Sequence, residues 1–107
     1  MTKKKKTKQL TSRQIRYLRG LGHHLKPVAM VGREGFSGSL VTSTDQVLLA
    51  HELIKVKVQD SCPLERGEAL SGLAGLTGAT LVQVLGKTAL LYRENPDRDV
   101  EKKIKLP

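Results

Sequence analysis

The run Leu53-Ile54-Lys55-Val56-Lys57-Val58 sets Ile54, Val56 and Val58 on one side of an extended chain and Lys55, Lys57 and the following Gln59 on the other. A period of two belongs to a β-strand, and a strand so patterned has to bury one face and leave the other in water. With 107 residues the chain has room for one core and not for two. The sheet that contains this strand therefore organises the whole molecule, with helices expected to cover one face of it.

The flanking segments supply those helices. Thr11 and Ser12 are N-cap residues before Ser12 to Leu25, where Ile15, Leu18, Leu21 and Leu25 recur at helical spacing. Lys26-Pro27 stops that helix, because proline lacks an N–H and drives the preceding residue out of helical geometry, and Val28 to Val31 follows as a short apolar strand. From Ser37, with Ser37 and Ser39 as caps, to His51 the residues Leu40, Val41, Val47 and Leu48 share a second helical face. Pro63 to Thr77 predicts a third helix with Ala69, Leu70, Leu73, Ala74 and Leu76 inward, although Gly67, Gly72 and Gly75 each cost about 1 kcal/mol relative to alanine. Gly78 ends it, and Leu81 to Leu85, the Gly86-Lys87 turn and Thr88 to Tyr92 form a hairpin. The expected fold is α+β, a single αβαβαββ domain with a four-stranded mixed sheet over residues 10–95. A basic flexible arm over 1–9 precedes it and a charged tail over 96–107 follows.

The net charge of +9 directs attention to polyanionic partners. Its distribution is uneven. Residues 1–8 hold five lysines and no acid, residues 9–59 hold seven bases against three acids, and residues 60–107 are balanced at seven each. Met1 to Arg33 contains no acidic residue, so Arg16, Arg19, His23 and Lys26, which fall within about 80° on a helical wheel beside the leucine stripe, have no local anionic partner. No apolar run approaches the ~20 residues of a bilayer span, and the N-terminal lysines lead into no apolar signal-like segment. One cysteine, Cys62, permits no intrachain disulfide. These features predict a cytoplasmic protein with no membrane association.

Gly32-Arg33-Glu34-Gly35 lies between a predicted strand and a predicted helix, where backbone N–H groups and the helix start present positive dipole to a phosphate. The chain holds three other Gly-x-x-Gly spacings, at 35/38, 72/75 and 75/78; the last two sit in or at the end of an amphipathic helix, and the 32/35 pair alone exposes an arginine after a strand. Neither the P-loop pattern nor the dinucleotide fingerprint is present. His23, His24, His51 and Cys62 lack metal-ligand spacing, and no acid-base or nucleophilic constellation is visible, so no catalysis, metal, cofactor or small-molecule substrate is expected. Phe36, Tyr17 and Tyr92 are too few and too scattered for a base-stacking platform, which favours contact with a nucleic-acid backbone. A helix-turn-helix is excluded by the strand after the first helix.

Leu10-Thr11 leading into Arg16-Tyr17-Leu18-Arg19, then His23-His24-Leu25-Lys26-Pro27-Val28, Val31-Gly32-Arg33-Glu34-Gly35, His51-Glu52-Leu53-Ile54-Lys55-Val56-Lys57-Val58 and Val82-Gln83-Val84-Leu85-Gly86-Lys87 with Leu91-Tyr92-Arg93 resemble a CRM domain, the chloroplast RNA splicing and ribosome maturation domain, in its stand-alone bacterial form. The resemblance implies a fold similar to the C-terminal domain of translation initiation factor three and RNA binding without enzyme activity. It also implies association with large-subunit ribosomal RNA or pre-50S particles in ribosome assembly. The residues expected to contact RNA are Gly32, Arg33, Glu34 and Gly35 in the loop, with Arg16, Arg19, Lys26, Lys55 and Lys57 around it. The alternative expectation is a protein-interaction module of ribosomal particles that meets a protein through residues 60–107 and has only nonspecific RNA affinity.

Overall fold

The seven predicted elements occur in the predicted order in a computed structural model, which describes residues 9–107: α1 Ser12–Gly22, β1 Pro27–Val31, α2 Gly38–His51, β2 Leu53–Val58, α3 Arg66–Thr77, β3 Thr80–Leu85 and β4 Thr88–Tyr92. The N-terminal arm, apart from Gln9, lies outside the described residues. The strands form one four-stranded mixed sheet in the order β1-β2-β4-β3. β1 pairs parallel with β2, while β4 runs antiparallel to both β2 and β3. α2 thus crosses between neighbouring strands. α3 carries the chain past the place that β4 fills when the hairpin turns back into the sheet.

Helix boundaries follow their caps. At α1 the Thr11 hydroxyl accepts from the Gln14 N–H (3.1 Å) and the Gln14 side chain accepts from the Thr11 N–H (3.0 Å), a reciprocal capping box. The helix ends at Gly22 and not at the expected Leu25, since Gly20 and Gly22 weaken its last turn before Pro27 can act. α3 starts at Arg66, three residues after the expected Pro63. Glu65 caps it, accepting from the Glu68 N–H at 3.1 Å, and the bonds from Gly67 and Glu68 hold the Glu65 carboxyl below its ordinary range. The glycines of α3 have a packing role: a Cβ on Gly72 would stand 2.3 Å from Cζ of Phe36, so the ring lies directly on the helix backbone. Leu76, expected in the core, is 56% exposed, and Thr77 is buried in its place with its hydroxyl donating to Leu73 O at 2.8 Å.

The helices do not all lie on one face of the sheet, as the sequence led us to expect. α2 and α3 bring Leu48, Ala69, Leu70 and Leu73 against Val31, Ile54, Val56, Val58, Ala89 and Leu91 in the larger core. α1 lies on the opposite face, where Leu18 packs with Leu53, Val82, Leu90 and Tyr92. This is the face of Lys55 and Lys57, and it is wet only beyond the end of α1. Residues 96–107 also differ from a simple charged tail. Ile104 and Leu106 pack on the α1 cluster, and the Gln14 side chain donates to the Pro107 carbonyl at 3.3 Å.

The anchor of that segment is Glu52, which caps α2 with φ of 63°, a conformation unusual outside glycine. Its side chain is buried, accepting from the backbone N–H groups of Asn95 and Ile104 (2.8 Å each) and from Arg98 at 3.4 Å. Arg93 closes the neighbouring seam, its guanidinium donating to the Asp45 carboxylate at 2.5 Å and to the Thr77 carbonyl at 2.6 Å. Together these residues tie the end of β4 to α2 and α3.

Candidate nucleic-acid interface

The Gly32 to Gly35 loop leaves β1 at the end of the sheet where β2 also ends, since Val31 pairs with Val58. The Gly35 N–H donates back to the Gly32 carbonyl at 3.0 Å, closing a tight turn whose middle residues, Arg33 and Glu34, are exposed. The two glycines serve different needs. Gly35 has φ of +61°, left-handed backbone in which a side chain is strained. Gly32 instead has the Gln59 side chain across it: a Cβ there would lie 2.6 Å from Gln59 Oε1. Phe36 then packs against the larger core and Ser37 caps α2, its hydroxyl accepting from the Leu40 N–H at 3.1 Å. The turn is therefore held at both ends, with the positive end of the α2 dipole directly behind it.

Among the predicted cations, the structure brings some together and separates others. Lys57 is exposed on the α1 side of the sheet, opposite Met30 of β1 in register and one residue before the pair that starts the loop. Lys87, in the hairpin turn, ion-pairs with Asp60, whose carboxyl is held below its ordinary range chiefly by the Lys87 hydrogen bond and charge, with a smaller contribution from Lys57. Lys57, Gln59, Asp60, Ser61 and Lys87 thus border one shallow depression of about 430 Å³ beside the loop. Lys55 sits farther along β2, half-buried, and shares a smaller cavity with His23, Gln83 and Thr88. Arg16 and Arg19 are exposed on α1. Lys26 does not continue their strip, because α1 has ended before it; it lines a groove on the β1 side with Leu21, Leu25, Val28 and Ile104.

His23 and His24 are both exposed, their rings edge to face with centroids 4.9 Å apart. His51 ends α2, and Cys62 is half-buried against the larger core. Among the described residues no three His, Cys, Asp or Glu side chains come together as a metal ion would require, and no helix is long and apolar enough to cross a membrane. Sequence reasoning missed Gln59, Lys87 and Asp60 as neighbours of the loop. The pairing of β2 with β1 places the first, and the hairpin register places Lys87 beside the end of β2, where its carbonyl accepts from the Val58 N–H at 2.8 Å.

Comparison with known proteins supplies independent information. Residues 10–93 match the model of the CRS1 / YhbY (CRM) domain. The chain is 36% identical to the probable RNA-binding protein YqeI of Bacillus subtilis over 98 residues, covering 92% of this chain and 99% of the relative. It is equally 36% identical over 98 residues to an RNA-binding protein of Haemophilus influenzae, covering 92% and 95% respectively. Its fold is similar to the solution structure of SAV1595 of Staphylococcus aureus, with a TM-score of 0.74, 35% identity, and coverage of 92% of this chain and 100% of that one.

Proposed function

The chain belongs to the CRS1 / YhbY (CRM) domain family, and on that premise we propose that it is a non-catalytic RNA-binding protein, cytoplasmic, that binds large-subunit ribosomal RNA in pre-50S particles and aids ribosome assembly. The observation that carries the reading is the Gly32 to Gly35 turn, fixed at both ends, with Arg33 exposed and Lys57 beside it. A phosphate seated there meets backbone N–H groups, the α2 dipole and at least one flexible cation without any of them having to be reorganised. Lys55, Arg16 and Arg19 extend the positive field from the loop toward α1 and hold the backbone that runs that way. Glu34 faces solvent in the same turn and keeps the phosphate on the Arg33 side. Affinity in this arrangement comes mainly from counterion release and falls steeply with salt.

Gly35→Asp tests the loop. Aspartate tolerates left-handed backbone better than most residues, but Gly35 is buried with Leu64 beside it, so the variant should lose about 1–3 kcal/mol of stability, while in its folded fraction the added charge weakens RNA binding by about tenfold or more. Gly35→Asn, with the same shape and no charge, should lose much less affinity. Unchanged affinity in the aspartate variant would remove the loop from the site. The ribosomal part is tested by crosslinking in cells and sequencing the attached RNA. Predominance of large-subunit rRNA supports it, and predominance of messenger or transfer RNA overturns it.

A further inference from the structure

We infer that Gln59 reads a nucleobase: an unstacked base of single-stranded RNA lies on the open sheet face against Met30, with its edge on the Gln59 amide and its phosphate on the Gly32 to Gly35 loop. The inference rests on the reading of that loop as a phosphate clamp.

Gln59 is fixed by its backbone and free at its tip. Its N–H donates to the Val31 carbonyl at 2.9 Å and its carbonyl accepts from the Cys62 N–H at 3.0 Å, so the residue continues the β1–β2 pairing to the edge of the loop. The side chain is exposed, and among the described residues its amide has one hydrogen-bond partner, the Met30 sulfur at 3.4 Å. A thioether is a weak acceptor, so a ligand can take both the donor and the acceptor of the amide at little cost. An amide of this kind matches adenine at two adjacent positions.

The surface beside it suits a base. Met30 is 53% exposed on the same sheet face, and its polarisable sulfur makes favourable contacts with aromatic rings, which supplies a soft platform in a chain with few aromatics. Lys57 pairs with Met30 in register and stands ready for a neighbouring phosphate. The same geometry explains the glycine at 32. Positive φ among the glycines occurs at Gly35, Gly78 and Gly86, so backbone conformation does not require glycine at 32; glycine there leaves room for the tip of the Gln59 side chain, which a Cβ would push aside.

The test measures binding of short oligoadenylate, oligocytidylate and oligouridylate to the full chain and to Gln59→Ala, Gly32→Ala and the double variant. Wild type should prefer oligoadenylate, and Gln59→Ala should reduce that preference at least about fivefold with an unchanged melt and an unchanged salt slope. Gly32→Ala displaces the amide and should lower the preference similarly, with no further loss of preference in the double variant. Equal binding of the three strands by wild type, or a preference that survives Gln59→Ala, overturns the inference. If wild type binds ribosomal RNA fragments and none of the three strands, base reading fails alone; if it binds neither, the phosphate clamp fails with it.

Discussion

On one face of the sheet α2 and α3 press Leu48, Leu70 and Leu73 onto Val31, Ile54 and Val56, and every one of these residues is fully or almost fully buried. On the other face α1 and the C-terminal segment cover one end, through Leu18, Ile104 and Leu106 on Leu53, Leu90 and Tyr92, and leave Met30 and Lys57 exposed beyond it. The contrast separates two tasks. The sealed face supplies most of the apolar burial that stabilises the fold, and the half-covered face offers charge and backbone to a partner. Substitutions should divide accordingly. Leu73→Ala, which removes a fully buried side chain, should cost about 2–5 kcal/mol in chemical denaturation while the folded fraction binds RNA as before. Lys57→Ala should leave the melt within about 0.5 kcal/mol and reduce the salt slope of binding by about 1. A Lys57 variant that unfolds, or a Leu73 variant whose folded fraction binds weakly, would break the separation.

The boundary between the covered and the open parts is held by Glu52. Replacing its carboxylate by an amide puts an N–H₂ in place of one of the two oxygens, so that either the Asn95 N–H on one oxygen or the Ile104 N–H and Arg98 on the other lose their acceptor, and the charge that holds Arg98 is lost in both cases. Glu52→Gln should therefore destabilise by about 1–3 kcal/mol. It should also free the C-terminal segment, seen as faster amide exchange at Asn95 and Ile104 and earlier proteolytic cleavage after Lys102 or Lys103. Equal protection in the variant would show that Ile104 and Leu106 hold the segment by packing alone.

Much of this architecture was legible from local pattern, because strand alternation and helix caps are local. The order of elements, the capping role of Thr11 and Ser37, and the hairpin at Gly86-Lys87 follow from residues within a turn or two of one another. The second apolar face was not legible, because it is assembled from Leu18, Leu53, Val82, Leu90 and Tyr92, one or two from each element, and none forms a stripe by itself. Leu21 and Leu25 completed a convincing helical stripe yet are exposed beside a groove: Leu25 lies beyond the end of the helix, and within it Leu18 and Gly22, the latter against Leu90, are the residues buried on the sheet. Glu52 reads as an ordinary surface acid until the tail returns to it. Within the candidate site, the strand-to-helix position of Gly32 to Gly35 could be read directly. The presence of Gln59 over Gly32 depends on the parallel register of β1 and β2, which no short-range pattern encodes.

Tyr92 probes how dry the covered end is. It pairs with Leu53 and Thr80 across the sheet and is 4% exposed, and burial, helped by the charges of Glu52 and Glu94, pushes its phenol up from 10.0 to about 12. The folded state therefore holds the phenolic proton more tightly than the unfolded chain does. The associated stability is fully present below pH 10 and is lost as pH rises through about 12. In Tyr92→Phe the part of the alkaline destabilisation between these limits that belongs to Tyr92 should disappear, and near neutrality the ring packing is conserved and the melt should change little. Thermal melts taken from pH 8 to pH 12 on both proteins measure the difference. An identical pH dependence would mean that water reaches the phenol beneath α1 and the C-terminal segment, so that this end of the face is as open as the end carrying Lys57.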